Sequence, residues 1–220
     1  MFMNEFLSPF DANETLKLAI HASEHGDAHS AIRYLTELLS AQPEHGAACY
    51  FLAMQYAEIG LFERAITTLQ HAIKINPTFD IAQFQLGLLY LQTQQTLQAE
   101  QLFSSLSLSS HDPALAAFSL GYLALFKEQT SDAIHHFQEG IAVCSNEALN
   151  NDIKRVIAQV EHAAASTPLV ASTTNASETP QANNFNQTKA ESTNAPTEQK
   201  KLTGFLGAYL DTIDDENGPH

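Results

Sequence analysis

Ala31-Ile32-Arg33-Tyr34-Leu35, Ala65-Ile66-Thr67-Thr68-Leu69, Ala99-Glu100-Gln101-Leu102-Phe103 and Ala133-Ile134-His135-His136-Phe137 are four copies of one pattern, set at a constant interval along the chain. Every window opens on alanine and carries leucine or phenylalanine four positions later, one helical turn on. A fixed period of this length is the signature of stacked helix–turn–helix units. Such a unit leaves an apolar face that only a neighbour can cover. The units therefore stack into a quasi-one-dimensional solenoid with a long concave surface. The windows predict an all-α fold and direct attention to a surface rather than a catalytic pocket.

Working outward, the windows sit in frames 12–45, 46–79, 80–113 and 114–147. The second frame carries Cys49, Leu52, Ala53 and Tyr56, then Gly60 and Phe62 at a turn, then Ala65, Leu69 and Ala72, and Pro77. The third has Leu86, Gly87, Tyr90, Ala99, Phe103 and Pro113. The fourth has Leu120, Gly121, Ala124, Ala133 and Phe137, and the first Leu18, Ala19, Ala31, Leu35, Leu38 and Pro43. These positions resemble the tetratricopeptide repeat (TPR), whose pattern runs Trp, Leu, Gly/Ala, Tyr, Gly, Tyr/Phe, Ala, Phe/Leu, Ala, Pro. In the second frame only the Trp is replaced, by Cys49. The resemblance implies a right-handed TPR-like α-solenoid of four helix-turn-helix repeats.

The residue types have physical reasons. Small residues at Ala31, Gly87, Ala99, Gly121 and Ala133 let two helices approach, and Leu or Phe fills the holes as ridges pack into grooves. Gly26 and Gly60 suit a tight turn inside a repeat. Proline blocks helix continuation, and Asn76-Pro77 and Asp112-Pro113 push the residue before them away from helix. After the repeats, Leu149, Ile153, Val156, Ile157, Val160 and Ala164 recur at helical spacing with polar residues behind them. Residues 147–165 thus read as the polar-backed capping helix of a TPR domain spanning 12–165. Residues 1–11 form an apolar lead-in with Phe2, Phe6, Leu7 and Phe10.

Residues 166–200 change character to Ser, Thr, Asn, Ala, Pro and Gln. Such a segment buries too little apolar surface to offset its ordering entropy and is expected to be a disordered linker. Within 201–220, Leu202, Phe205, Leu206, Tyr209, Leu210 and Ile213 follow one face of a short amphipathic helix, and Asp211, Asp214, Asp215 and Glu216 make its end acidic. A helix this short is marginal alone. It reads as a docking segment that folds when it meets a groove. A linker of ~35 residues spans roughly 30–35 Å root-mean-square, enough to return to the chain's own groove. Docking in cis and hooking a separate partner in trans both remain open.

The formal net charge is −15 over 220 residues. Phosphate binding needs a basic face, and none is visible, so nucleic acid is not expected as a partner. Anionic membrane is disfavoured by the same charge, and no apolar run reaches the ~20 residues of a membrane span. The first residues carry no basic n-region, so no secretory signal is read and a cytoplasmic location is expected. Cys49 and Cys144 lack metal-ligand or redox spacing and read as reduced core residues. His21 and His25 stand four apart, as zinc ligands can, but near a turn, where a solvated face is expected. His135 and His136 point about 100° apart on a helix, which does not favour joint chelation. There is no Gly-rich phosphate loop and no nucleophile elbow. No metal, cofactor or catalytic residue is expected, and the chain does not read as an enzyme.

In the TPR family, first-helix positions 2, 5, 9 and 12 face the superhelical groove. Carried onto this sequence, the resemblance implies a partner-binding groove of Leu16 and Ile20; Tyr50 and Met54; Ile81, Phe84, Leu88 and Leu91; and Leu115, Phe118, Tyr122 and Leu125. A helix apolar on both faces is expected to be covered on both. Two readings of that cover stand side by side. Tight winding, the amino-terminal phenylalanines or the capping helix covers the stripe, or a protein ligand does. The Lys, Asn and Arg set with which some TPR proteins clamp the acidic chaperone terminus is replaced here by Leu16, Ile20, Met54, Ile81 and Gln85. That partner class is therefore excluded. The expected function is noncatalytic protein binding, as an adaptor or assembly scaffold for an apolar or helical protein segment. The alternative is a cytoplasmic holding chaperone for secreted or assembling clients, since small acidic TPR chaperones of bacterial type III secretion look similar. Homo-oligomerisation through the groove is a third reading.

Overall fold

A computed structural model of the chain describes residues 11–166. Among them are nine α-helices and no strand. They are α1 (Ala12–Glu24), α2 (Ala28–Ala41), α3 (Gly46–Glu58), α4 (Phe62–Ile75), α5 (Asp80–Gln92), α6 (Thr96–Ser109), α7 (Pro113–Phe126), α8 (Thr130–Val143) and α9 (Glu147–Ser166). Each helix packs on its chain neighbours from α1 to α9, and α1 also touches α3 as α5 touches α7. That is the pairing of a helix–turn–helix solenoid. The amino-terminal phenylalanines, the linker from residue 167 and the amphipathic segment 201–220 lie outside the described residues.

Local chemistry sets the helix ends. The Asp27 carboxylate accepts a hydrogen bond from the Ser30 amide at 3.0 Å and starts α2. Hydrogen bonding from Ser30, first from its side chain and then from its amide, holds the Asp27 carboxyl below its ordinary range. Asp112 accepts from the amides of Ala114 and Leu115 at 2.8 and 3.3 Å. Pro113 is then the first residue of α7, where its missing N–H costs nothing. Pro113 falls at the end of the third frame, yet it opens the next helix. Between the two helices of each repeat stands a residue with left-handed backbone: Gly26 (φ 74°), Gly60 (φ 79°), Gln94 (φ 61°) and Glu128 (φ 58°). These four keep the interval that separates the alanine windows.

The core runs the length of the stack. Ala31, Ala65, Ala99 and Ala133, which open the four repeated windows, are completely buried. Leu35, Leu69, Phe103 and Phe137, four positions later, are buried with them. A Cβ added to Gly87 would stand 2.7 Å from the Phe103 ring. One on Gly121 would strike the Phe137 ring, and one on Gly140 the Phe118 ring. These glycines are notches into which rings of the paired helix fit. Repeats one and two carry alanine at the position of Gly87 and Gly121, namely Ala19 and Ala53, and leucine in place of the ring, Leu35 and Leu69.

The two kinds of helix differ in burial. In α3 every residue from 48 to 57 is buried, whereas α4 buries only Ala65, Ile66, Leu69 and Ala72. The first helices α3, α5 and α7 are each packed between the second helices that precede and follow them. Polar ties cross the stack as well. The Gln55 amide donates to the Ser23 hydroxyl at 2.7 Å, joining α3 to α1. The Gln70 amide donates to the Tyr90 hydroxyl at 2.9 Å, joining α4 to α5.

Candidate functional site

The twelve groove positions do not share one environment. Leu16, Ile20, Tyr50, Met54, Phe84, Leu115, Phe118 and Tyr122 are buried. Ile81, Leu88, Leu91 and Leu125 are half-buried and lie against the core. Eight of the twelve are thus covered within the folded chain itself. Their aromatic members are long enough to reach past the helix surface into the stack. Phe84 lies 5.7, 6.2 and 6.1 Å, centroid to centroid, from Phe103, Phe118 and Tyr122. Tyr122 stacks on Phe103 at 4.9 Å with planes 10° apart, and meets Phe137 edge-on at 5.2 Å. Tyr50 lies 5.3 Å from the Phe79 ring. Offset and edge contacts of this kind favour a fixed arrangement. The aromatic residues of the stripe are therefore part of the core.

Four aliphatic side chains of the set stay partly exposed. Ile81, Leu88 and Leu91 belong to α5 at spacings of seven and three. Leu125 on α7 stands one repeat period beyond Leu91, at the equivalent position of the next repeat. Together they offer apolar area without a hydrogen-bonding group.

One residue of this face escaped the sequence reading. Asp152 on α9 lies one repeat period after Phe118, which itself follows Phe84 and Tyr50 at that interval. The series Tyr50, Phe84, Phe118, Asp152 thus ends in a carboxylate, and extending the period one step further would have found it. Asp152 is half-buried and accepts from the Arg155 guanidinium at 2.7 Å. Burial pushes its carboxyl above the ordinary range, with Arg155 opposing. The Tyr122 hydroxyl is held well above its usual range by burial first and by the charge of Asp152 second.

The chemistry-bearing residues lie elsewhere. The rings of His21 and His25 are 4.1 Å apart, and Nδ1 of His25 is 2.8 Å from the carbonyl of His21. His135 and His136 both approach the Glu139 carboxylate, at 3.4 and 3.0 Å. Among the described residues no group of three or more His, Cys, Asp or Glu is arranged to hold a metal. Sγ of Cys49 lies 3.5 Å from Nδ1 of His71, a neighbour the sequence did not suggest. Burial pushes the Cys49 thiol up, so the neutral form prevails and a thiolate nucleophile is disfavoured. Cys144 is half-buried, and burial raises its thiol too. Among the described residues no helix is long and apolar enough to cross a membrane.

Comparison with known proteins agrees with this architecture. The tetratricopeptide repeat family model matches residues 22–79. The chain is similar to one in the crystal structure of the APC/C hetero-tetramer Cut9-Hcn1, at 22% identity and TM-score 0.64, over 72% of this chain and 31% of that one. It is similar to a tetratricopeptide repeat protein from Parabacteroides merdae, at 20% identity and TM-score 0.57, over 73% of this chain and 63% of that one. It is also similar to MamA, at 21% identity and TM-score 0.52, over 69% of this chain and 83% of that one. At these identities the likeness establishes the fold. No curated protein matches the sequence.

Proposed function

We propose that this chain, whose residues 22–79 match the tetratricopeptide repeat family model, is a noncatalytic protein-interaction scaffold that takes an apolar, helical segment of a protein on its concave face. The observation that carries this reading is the set Ile81, Leu88, Leu91 and Leu125, apolar side chains packed against the core yet only partly buried. A helix laid across such a surface engages it through apolar residues at i, i+3 and i+4, with affinity from burial and little from hydrogen bonds. A basic group at one end of that helix would meet Asp152. The segment 201–220, with Leu202, Phe205, Leu206, Tyr209, Leu210 and Ile213 on one face, has this character and is an occupant in cis or a hook in trans. The division into a repeat domain (12–165), a linker (166–200) and that segment belongs to the same proposal. So does a cytoplasmic setting, which is supported by two free thiols, Cys49 and Cys144.

The test compares the full chain with a Leu88→Glu/Leu125→Glu variant. Both are titrated with a labelled peptide of residues 201–220 and with amphipathic helical peptides of unrelated sequence. Saturable binding by the parent, lost in the variant while its unfolding stays cooperative, supports the proposal. Equal binding by both, or by neither, overturns the concave face as the site. The holding-chaperone reading draws on the same lack of hydrogen-bonding groups, which favours apolar contact without sequence preference. It requires the parent, and not the variant, to suppress aggregation of an unrelated unfolded protein. Homo-oligomerisation through this face would appear as a mass increase that the same variant abolishes.

A further inference from the structure

The groove positions are not closed evenly along the stack. Ile20 on α1 and Met54 on α3 are 5% and 3% exposed, whereas Leu88, at the equivalent place on α5 and of similar size, is only half-buried. About one turn further on, Ser23 and Ala57 are buried, while Leu91 and Leu125, at the same place in repeats three and four, are half-buried. Tyr122, the equivalent of Leu88 on α7, is accounted for by its ring contacts with Phe103 and Phe137. The described helices do not account for the closure at α3. It packs on α2 and α4 and touches α1, and α5 likewise packs on α4 and α6 and touches α7. The Gln55 side chain, tied to Ser23 between α3 and α1, also keeps a buried Oε1 with no partner among the described residues. A buried acceptor of this kind calls for a donor.

We propose that residues 1–10 fold back over the groove positions of α1 and α3 and are the cover of Ile20, Tyr50 and Met54. This segment carries Phe2, Phe6, Leu7 and Phe10, and Glu5 is its single charge. Phenylalanine rings pack well on a tyrosine edge and on a methionine thioether, and a backbone N–H of the segment supplies the donor for Gln55. Reach sets the extent of the cover. The segment joins the first turn of α1, and ten residues span about 15 Å as a helix and at most about 36 Å extended. Packed helices stand about 8–10 Å apart. Thus α3, which touches α1, is within range even of a compact segment, and α5, one repeat further, is not. The chain beyond α9 departs from the opposite end and would close Leu125 and Leu91 first. The groove is thereby divided: its first half holds the chain's own residues 1–10, and its second half, around Leu88, Leu91 and Leu125, stays open. This occupancy does not rest on the function proposed above.

The methionines of the chain are Met1, Met3 and Met54, so Met54 reports on the cover. Dilute hydrogen peroxide converts an accessible thioether to the sulfoxide, and peptide mass spectrometry follows each methionine separately. A full-length Phe2→Ser/Phe6→Ser/Phe10→Ser chain should oxidise Met54 several-fold faster than the parent, with its helical content unchanged. A Phe2→Leu/Phe6→Leu/Phe10→Leu chain, which keeps the apolar cover, should stay close to the parent. Placement is read in the otherwise unaltered chain, with a photoreactive benzophenone side chain at position 6 in place of Phe6. Irradiation should join residue 6 to α1 or α3 in a product of one-chain mass. Equal oxidation of Met54 in the parent and the folded serine chain overturns the proposal. So do cross-links to α5, α7 or segment 201–220, cross-links found only in a product of two-chain mass, or no cross-link at all. Both measurements are made without a ligand, so their failure leaves the ligand-binding reading to its own test.

Discussion

The contact between Gly87 and Phe103 shows how side-chain volume is shared across a helix pair. Repeats one and two place alanine against leucine, at Ala19 and Leu35 and at Ala53 and Leu69. Repeats three and four place glycine against phenylalanine, at Gly87 and Phe103 and at Gly121 and Phe137. Gly87→Ala therefore presses a methyl into the Phe103 ring, and should cost about 1–3 kcal/mol by overpacking. Phe103→Leu in the same chain should recover most of that loss, because it restores the pairing of the first two repeats. Urea denaturation of the two single variants and the double variant checks this; additive effects would refute the pairing. The turn residues offer a second case. Gln94 and Glu128 adopt the left-handed backbone that Gly26 and Gly60 hold at the equivalent position. That conformation costs a non-glycine residue about 1–2 kcal/mol, against about 0.5–1 kcal/mol of extra chain entropy for glycine. Gln94→Gly should thus raise the thermal midpoint, by up to about 1 kcal/mol of stability. Asp152 sets a pH dependence. Its folded pKa is raised by burial above the ordinary 3.8, so the folded chain binds the proton more tightly than the unfolded one. Its contribution is most favourable below the unfolded pKa and is lost as pH rises through the folded value. Melts of Asp152→Asn and the parent should diverge across that window, with the parent losing ground as pH increases. Parallel curves would refute it.

Among the elements, the contrast between first and second helices governs what a substitution does. On α4 the buried side is one stripe, and Ala65 lies at its centre with no exposed surface. Ala65→Leu should overpack the contact with α3 and cost about 1–3 kcal/mol, seen as a lower denaturant midpoint. On α5 nearly the whole circumference is covered, but unevenly. Phe84 is completely buried while Leu88, one turn on, is half-buried. Phe84→Glu should abolish cooperative unfolding, since it buries an unpaired charge among aromatic rings. Leu88→Glu should lower the midpoint while leaving unfolding cooperative, because its partly exposed position lets the carboxylate reach water. Circular dichroism melts of the pair separate structural from surface positions on one helix face.

At the scale of the whole molecule, the stack is linear and acidic. A net charge of −15 repels itself most when the chain is compact. Added salt shortens the screening length from about 10 Å at 0.1 M to about 3 Å at 1 M. The unfolding midpoint should therefore rise with ionic strength, as a chloride series would show; a flat response would mean that the charges lie too far apart to matter. The repeat period was legible because each repeat solves the same local packing problem with the same residue types. The helix pairing followed from it, and so did the closeness at Ala65 and Gly87. The accessible part of the concave face was not legible. Phe118 and Leu125 occupy the same side of α7, and nothing in their spacing tells which is covered. Gly140, on another helix, makes room for the Phe118 ring. Asp152 does not stand out in the sequence, because the polar-backed pattern of α9 hides the fifth step of the period that ends in its carboxylate.

By itself the sequence determined the kind of helix, the order of pairing and the solenoid they build, because these depend on periodic contacts between neighbours along the chain. Only the tertiary structure decided which apolar side chains still face water. Burial of Tyr50, Phe84 and Phe118 depends on rings and notches supplied by residues many positions away, and a one-dimensional pattern does not carry that information.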